Sequence, residues 1–260
     1  MKNLKRFFGL FFILLLMNRI AIAQEMKTTD SVEIKKALFK AAQDKKAYED
    51  WLKLDWPNLK MFRDDNTKVG LPVAGENRIV FMGNSITIGW INTDPAFFAG
   101  RPYIDRGISG QTTPQMLIRM RADVINLKPK VVVILAGTND IAGNTGPSTL
   151  EMIEDNLASM AELAKANGIQ PILCSILPDF DYPWKPGMKP YEKISMVNDW
   201  MKNYAAQHGM IYLDFYSAMV DSRPGMKTDY SKDGVHPNMA GYKVMEPLVE
   251  KAIAQALKMR

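Results

Sequence analysis

The chain has 260 residues, of which 47% are hydrophobic and 23% charged, so its length and composition suit one α/β domain with a sizeable core. Four of the 33 basic residues and none of the 28 acidic ones lie in positions 1–23, so residues 24–260 are nearly neutral. This charge balance gives no support for binding to nucleic acid or an anionic membrane. The single cysteine, Cys174, excludes an intrachain disulfide, and two histidines without a Cys/His cluster predict neither a metal site nor a cofactor.

Residues 1–23 have the pattern of a secretory signal peptide. Basic residues at positions 2, 5 and 6 precede the apolar run Phe7 to Met17, and the small-residue motif Ala21-Ile22-Ala23 comes before Gln24. The apolar run is too short to span a bilayer comfortably, and no cysteine follows it that would indicate a lipid anchor. We therefore expect export to the periplasm or the extracellular space, without stable insertion into a membrane.

Residues 24–76 predict a helical extension that packs on the main domain. Asp30 and Glu33 have the spacing of a capping box, and apolar residues then recur at roughly helical spacing, which predicts one or two helices from about Ser31 to Leu54. The segment from Pro57 to Glu76 is interpreted as an irregular or partly helical connection. The main domain is then expected to occupy residues 77–260.

From Asn77 onward, strand-like and helix-like segments alternate. The predicted strands are Ile79 to Met82, Tyr103 to Asp105, Val131 to Ala136, Pro171 to Ser175 and Met210 to Asp214. The predicted helices are Thr113 to Leu127, Ser148 to Asn167, Tyr191 to Gln207 and Asn238 to Met259. This alternation favours right-handed βαβ units, a parallel sheet of about five strands and a three-layer α/β/α sandwich.

Ser85 lies where the first predicted strand ends. Gly83 and Asn84 tolerate a sharp turn after Ile79 to Met82, so Ser85 is expected at the carboxyl end of a strand, the edge at which open parallel sheets bind ligands. A serine at this place can be a nucleophile, but it can equally be the N-cap of the helix that follows. Taken alone, this stretch favours the cap.

Two further polar positions follow predicted strands. Gly110 precedes a helix start, where its exposed N–H can donate to an anion, although a simple turn glycine fits about as well. Asn139 follows the strand Val131 to Ala136, and its side-chain amide can point toward Ser85 and hold the negative oxygen of a tetrahedral intermediate. Asparagine is also a common turn residue, so this signal is weak when it is taken alone.

A third stretch, Asp233-Gly234-Val235-His236-Pro237, lies near the carboxyl end of the chain. Pro237 keeps His236 out of helical conformation and suits the first position of the helix that follows. An aspartate and a histidine three residues apart in such a turn can form a hydrogen bond, which would hold the imidazole in one tautomer with its other nitrogen toward Ser85. The alternative is an ordinary surface or capping histidine.

Serine, glycine, asparagine and the Asp/His pair follow in this order, nearly all at the carboxyl ends of predicted strands, and those ends converge in space. The stretches that contain them are Gly83-Asn84-Ser85-Ile86, Gly110, Gly137-Thr138-Asn139-Asp140 and Asp233-Gly234-Val235-His236. They resemble the four signature blocks of the SGNH, or GDSL-like, hydrolase superfamily. The resemblance runs from about Arg78 to Tyr242, with one departure: the family has an acidic residue before the serine, where this chain has Asn84.

The resemblance implies a flavodoxin-like sandwich and a serine esterase. Ser85 would be the nucleophile, His236 the base and Asp233 the partner that orients the base. By the same matching, the Ser85 N–H, the Gly110 N–H and the Asn139 side chain would form the oxyanion hole.

Substrate choice is expected to come from loops. The segment Pro178 to Gly187 follows the fourth predicted strand and contains Tyr182 and Trp184, whose rings could line the substrate and stack on a sugar; packing of the loop on the body is an equal alternative. The segment Arg106 to Thr113 and the pair Gly89-Trp90 are most similar to the acetylhydrolase and carbohydrate-esterase branch of the superfamily.

We therefore expect a small-molecule or oligosaccharide acyl ester, chiefly an O-acetyl ester, as substrate. Two other functions are compatible with the same sequence: a lipase or lysophospholipase that uses the same machinery, and a non-catalytic glycan-binding protein. The sequence predicts no particular oligomeric state.

Overall fold

A computed structural model describes residues 31–259, so the predicted signal peptide in residues 1–23 lies outside the described residues. The chain divides into two compact units, one that ends at Trp56 and one that begins at Pro57. The first unit contains helix α1, Ser31–Asp55, close to the helix expected from about Ser31 to Leu54. Packing of this extension on the main domain stays a prediction. Within residues 31–259, no helix is both long enough and apolar enough to cross a membrane.

The second unit contains all the strands of the described chain. The strands are β1 (Ile79–Gly83), β2 (Tyr103–Gly107), β3 (Val131–Leu135), β4 (Gln170–Cys174) and β5 (Ile211–Leu213). The helices are α2 (Arg63–Val69), α3 (Ser85–Thr93), α4 (Pro95–Phe98), α5 (Thr113–Asp123), α6 (Thr138–Ile141), α7 (Leu150–Ala166), α8 (Tyr191–Gln207), α9 (Tyr216–Met219) and α10 (Met239–Lys258).

The strands form one parallel sheet in the order β2-β1-β3-β4-β5. In this order the chain first builds outward on one side of β1 and then crosses to the other side, which is the doubly wound arrangement of flavodoxin-like folds. The predicted three-layer α/β/α sandwich with five parallel strands is confirmed. The reversal of strand order at β1 opens a crevice at the carboxyl ends of β1 and β3, where such folds bind ligands.

Two apolar cores lie on the two faces of the sheet, because alternate residues of a strand point to opposite faces. On one face, Val80 and Met82 of β1 pack in a cluster that includes buried residues of α5, α7 and α8. On the other face, Ile79 and Phe81 pack in a cluster that includes buried residues of α3, α4 and α10. Cys174, at the end of β4, is fully buried in the second cluster, as expected of a small core residue.

The structure differs from the sequence prediction mainly at the ends of elements. The helix expected from Thr113 to Leu127 ends at Asp123, because Val124 leaves helical conformation with a φ of −127°, and a 3₁₀ turn, Ile125–Leu127, follows. Three short helices of four residues each, α4, α6 and α9, form in segments for which no helix was expected. Helix α6 contains Asn139, so one missed element belongs to the candidate site.

Candidate active site

Ser85 is the first residue of α3, immediately after the turn that ends β1. The N-cap of this helix is Asn84, whose side-chain oxygen accepts a hydrogen bond from the Ile86 N–H at 2.9 Å. The alternative in which Ser85 caps the helix is therefore wrong, since the neighbouring asparagine does so. Asn84 is buried and Ser85 only partly so, which leaves the serine hydroxyl available at the sheet edge.

Gly107, at the end of β2, allows the Ser85 turn to lie against the sheet. A Cβ at Gly107 would overlap the backbone nitrogen of Ile88 and would lie 2.8 Å from the carbonyl oxygen of Asn84. Only a glycine permits such a close approach between two backbones. The position of the serine therefore depends on the packing of β2 against the first turn of α3.

His236 lies beside Ser85 in the structure, although 151 positions separate them in the sequence. Its Nε2 is 3.0 Å from the Ser85 Oγ, and its Nδ1 is 2.7 Å from the Asp233 Oδ2. A carboxylate can only accept, so Nδ1 carries the proton and Nε2 is left as the acceptor for the serine hydroxyl. The three side chains predicted to act together are therefore brought together, in the order hydroxyl, imidazole, carboxylate.

The carboxylate of Asp233 is fixed by its own turn. Its Oδ1 accepts hydrogen bonds from the backbone N–H of Val235 at 3.0 Å and of His236 at 2.8 Å. Burial by itself raises the pKa of Asp233, but the hydrogen bonds from the His236 ring and from these two N–H groups outweigh that effect, so the pKa lies well below the usual range. Asp233 is thus an ionised acceptor over the whole neutral range.

Two details of this turn were not foreseen from the sequence. Pro237 does not take the first helical position, because α10 begins at Met239 and its N-cap is Asn238, whose side chain accepts from the Gly241 N–H. Ser231 also supports the turn: its hydroxyl accepts from the Gly234 N–H at 2.9 Å and lies 3.0 Å from the Asp233 Oδ1. Ser231 was missed because a lone serine in a loop carries no distinctive spacing.

Three hydrogen-bond donors lie on the segments that follow β1, β2 and β3, at the same edge of the sheet as the Ser85 hydroxyl. Within residues 31–259, neither the Ser85 N–H nor the Gly110 N–H has a hydrogen-bond partner. Asn139 is 4% exposed and donates from Nδ2 to the Gln111 carbonyl oxygen at 2.9 Å, which leaves its second N–H unassigned. The segments that contain these donors are joined, since the Ile108 N–H also donates to the Gly83 carbonyl oxygen at 3.1 Å.

Asp140 ties the Asn139 turn to the start of α5. Its carboxylate accepts from the Thr113 N–H at 3.0 Å and from the Thr113 hydroxyl at 2.6 Å. Burial raises the pKa of Asp140 to about 6, because its effect is larger than that of the hydrogen bonds from Thr113, which lower the pKa. These contacts assign a structural role to the residue beside Asn139.

A buried arginine connects the Ser85 turn with the Gly110 turn, and the sequence did not predict this role. Arg119 on α5 is fully buried and donates to the Gly83 carbonyl oxygen at 2.9 Å and to the Gln111 side-chain oxygen at 2.5 Å. It also pairs with Asp123 at 3.1 Å. The spacing of Arg119 and Asp123 indicates a helical ion pair, but nothing in the sequence shows that the pair points into the core.

Of the two aromatic residues predicted to line the substrate, the loop from Pro178 to Gly187 places only one, Trp184, beside the candidate site. Tyr182 is fully buried and its hydroxyl donates to the Thr138 carbonyl oxygen at 3.1 Å, so the expectation that it lines the substrate is not met. Trp184 stacks on Tyr182 at 5.1 Å between ring centroids, and its partly exposed ring lies 6.2 Å from the His236 ring. Trp184 therefore borders the site, and the buried Tyr182 ring supports the Trp184 ring.

Asp179, in the loop that follows β4, is a buried acid that was also missed. The side chain is fully buried, and neither carboxyl oxygen has a protein hydrogen-bond partner in the described chain. Burial, and secondarily the charge of Asp233, raises the pKa of Asp179 well above its usual range. Burial and the charge of Asp233 therefore both disfavour the ionised form of Asp179.

An open depression of about 690 Å³ borders the Asp233 and His236 side of the site. Its other lining residues include Thr93, Lys232 and Asn238, which are polar, and Met239. Among residues 31–259, no group of three or more His, Cys, Asp or Glu side chains is arranged to hold a metal ion.

A doubly wound parallel sheet with a serine, a histidine and an aspartate hydrogen-bonded in series at its carboxyl edge is the arrangement of the SGNH hydrolase superfamily. The model of the GDSL-like Lipase/Acylhydrolase family matches residues 81–244, which is more than half of the chain. The chain belongs to this family, and it is a hydrolase that acts on esters.

Similar proteins agree with this assignment. The chain is 48% identical to a protein of Bacteroides fragilis whose crystal structure is assigned to an acylhydrolase; the match covers 78% of this chain and 99% of that one, with a TM-score of 0.76. It is 46% identical to a GDSL-like lipase of Bacteroides thetaiotaomicron, with coverage of 78% and 100% and a TM-score of 0.76. It is also 30% identical over 174 residues to esterase TesA of Pseudomonas aeruginosa, covering 65% of this chain and 80% of that protein.

Proposed function

We propose that this protein is an exported serine esterase that removes small O-acyl groups, chiefly acetyl, from carbohydrates through an acyl-enzyme. The observation that carries the catalytic part is the series of two hydrogen bonds, 3.0 Å from the Ser85 Oγ to the His236 Nε2 and 2.7 Å from the His236 Nδ1 to the Asp233 Oδ2. This geometry supports Ser85 as nucleophile, His236 as base and Asp233 as its orienting partner.

In the proposed acylation step, the Ser85 Oγ attacks the ester carbonyl carbon as the His236 Nε2 takes the hydroxyl proton. The resulting imidazolium is stabilised by Asp233, whose ionised carboxylate remains within hydrogen-bonding distance of Nδ1. His236 then protonates the departing alcohol. Water repeats the sequence on the acyl-enzyme and releases the acid, with His236 again acting first as base and then as acid.

The negative oxygen of each tetrahedral intermediate would be held by the N–H groups of Ser85 and Gly110 and by the free N–H of Asn139. Preorganised donors of this kind stabilise the transition state more than the ground state, and loss of one typically lowers turnover about 10²–10³-fold. The roles of all three donors are part of the proposal.

The preference for small acyl groups is supported by the surroundings of His236. The partly exposed Trp184 ring is held by its stack on the buried Tyr182, so it forms a stiff wall beside the imidazole. The open depression beside His236 is lined by apolar Pro237, Met239 and Ala240 together with polar Thr93, Lys232 and Asn238, so polar groups interrupt the extended apolar groove that a long acyl chain requires. A flat aromatic ring beside polar groups is also a suitable surface for a sugar.

Export is proposed from the signal pattern in residues 1–23. Expression of the full chain followed by amino-terminal sequencing of the protein recovered outside the cytoplasm tests this part. We expect a mature chain that starts at Gln24. Recovery of an unprocessed chain in the cytoplasm would contradict export without affecting the esterase.

The substrate class is tested with p-nitrophenyl acetate, butyrate, octanoate and palmitate, followed by acetate release from acetylated polysaccharides. We expect kcat/KM to be highest for the acetyl ester and to fall as the chain lengthens. Ser85→Ala is the matched control, since it removes one oxygen at a partly buried position and should abolish both activities.

Each outcome decides one part of the proposal. A maximum at octanoate or palmitate would replace the carbohydrate esterase by a lipase or lysophospholipase. Full activity in Ser85→Ala would remove the proposed nucleophile. Glycan binding without any hydrolysis or reaction of Ser85 with a fluorophosphonate would exclude the catalytic assignment altogether.

A further inference from the structure

The Asn139 amide is held at both of its polar atoms, and the second contact comes from Asn144. The Asn144 Nδ2 donates to the Asn139 Oδ1 at 3.0 Å, while the Asn139 Nδ2 donates to the Gln111 carbonyl oxygen at 2.9 Å. An asparagine amide can rotate by half a turn and exchange its oxygen with its nitrogen. The two contacts together allow only one of these orientations.

Backbone carbonyl oxygens fix the direction of this chain of hydrogen bonds. The Asn144 Nδ2 also lies 3.4 Å from the Gly110 carbonyl oxygen, which can only accept, so the nitrogen of Asn144 must occupy that place. The Asn139 atom that faces Asn144 is then the oxygen. The Asn139 Nδ2 then faces the Gln111 carbonyl oxygen, to which it donates one N–H, and its second N–H has no assigned acceptor.

The local backbone places Asn144 back against Asn139. The Asn144 N–H donates to the Asn139 carbonyl oxygen at 3.0 Å, and Gly143 and Gly146 on either side have φ values of +71° and +110°, which side chains rarely adopt. The turn is also attached to the Trp184 loop, since the Lys185 Nζ donates to the Ala142 carbonyl oxygen at 2.8 Å. Asn144 therefore contacts two of the three residues proposed to hold the oxyanion, Asn139 and Gly110.

We propose that Asn144 is a positioning residue that selects the productive orientation of the Asn139 amide and holds the Gly110 turn beside it. This inference rests on the proposed function, because the free N–H of Asn139 matters only if an oxyanion forms next to Ser85. Asn144 would touch neither the substrate nor the reacting atoms.

Asn144→Asp tests the inference with a substitution of nearly equal size. The ionised carboxylate cannot donate, and it would repel the oxygens of Asn139 and Gly110. This repulsion opposes the bond from the Asn139 Nδ2 to the Gln111 carbonyl oxygen, so the Asn139 amide should lose its single fixed orientation. We expect kcat for p-nitrophenyl acetate to fall about 10²-fold, as for the loss of one oxyanion donor, while KM changes little.

The pH dependence separates positioning from general damage. When the introduced carboxyl group is protonated it can donate again, so the ratio of wild-type to variant kcat should shrink as the pH is lowered. Taking the ratio at each pH cancels the titration of groups that both proteins share. A ratio that stays constant with pH would overturn the donor argument.

Asn144→Ala provides a second variant if the first does not fold, and here about a tenfold fall in kcat is expected, because donation is lost without repulsion. Thr145→Ala is the matched control. It removes a hydroxyl contact of 3.0 Å to Thr112 from the same turn without touching Asn139, and should keep kcat within about twofold of wild type.

A double variant distinguishes failure of this inference from failure of the proposed function. In an Asn139→Ala background, Asn144→Asp should cost much less than it does alone, because its main target is already absent. Full independence of the two effects would refute the positioning role. If Ser85→Ala abolishes activity while Asn144→Asp retains wild-type kcat, only the inference about Asn144 fails; if Ser85→Ala is active, the proposed function fails.

Discussion

Replacement of Arg119 by methionine should destabilise the fold and loosen the connection between the two turns that contain Ser85 and Gly110. The side chain is fully buried, and Asp123, its ion-pair partner, is 1% exposed. Burial lowers the pKa of Arg119 to about 10, against the opposing effect of Asp123, so the guanidinium is charged at neutral pH. Methionine keeps much of the length and removes every donor.

The contacts set the expected size of the effect. Removal of one partner of a buried ion pair costs about 3–5 kcal/mol, and an abandoned buried acceptor such as the Gln111 side-chain oxygen costs about 1–3 kcal/mol more. The Gly83 oxygen keeps its bond from the Ile108 N–H, and Asp123 keeps one from Asn66 at 2.8 Å, so the lower end applies. We expect a loss of about 4 kcal/mol from an unfolding free energy that is typically about 5–15 kcal/mol.

For a domain of this size, about 4 kcal/mol corresponds to a Tm lowered by about 8–16 °C, measured by circular dichroism. Arg121→Met, an exposed change on the same helix, should stay within about 0.5 kcal/mol of wild type. Adding Asp123→Asn to Arg119→Met removes the stranded charge and should restore part of the loss. A Tm within about 3 °C of wild type for Arg119→Met, or no recovery in the double variant, would refute this reasoning.

Three other substitutions have defined outcomes. Asp233→Asn should lower kcat about 10⁴-fold with little change in fold, because the neutral amide can hold the imidazole in the wrong tautomer; steady-state kinetics would contradict this by showing a loss under tenfold. Asp179→Asn should stabilise the protein increasingly as pH rises. The raised pKa of Asp179 in the fold means that its stabilising contribution is complete at pH values below its unfolded pKa and is lost as pH rises through its folded pKa. Urea unfolding at several pH values measures this, and a constant difference between the two proteins would be the negative result. Gly107→Ala should displace the Ser85 turn, since the added Cβ meets backbone atoms of Ile88 and Asn84; a crystal structure with unchanged positions and wild-type kcat would count against it.

The strands and long helices could be predicted because the pattern of apolar residues in each indicates which of its faces are buried. Val131–Leu135 is an unbroken apolar run, which is typical of a strand covered on both faces, and all five of its residues are buried. Tyr191–Gln207 was predicted with its observed ends because a period of 3.6 extends over its whole length. The short turn α6 could not be predicted in the same way, since four residues are too few to show any period.

The cap at the start of α3 shows where local reasoning reached its limit. Asn84 and Ser85 are adjacent, and both residue types cap helices well, so the sequence alone favoured the serine as cap. The choice is decided by His236, which draws the serine hydroxyl into a hydrogen bond at 3.0 Å and leaves the cap to the asparagine. That partner is far away in sequence.

By itself, the sequence determined the class of fold, the order of the four motifs and the residues proposed for catalysis, because these depend on local patterns and on the rule that parallel strands end at one edge. Only the tertiary structure decided that Tyr182 is buried under Trp184, that Arg119 joins two turns and that Asn144 orients Asn139. Each of these depends on which atoms meet across distant segments. Side-chain direction and hydrogen-bond partners of that kind are set by packing, and leave no period or spacing in the chain.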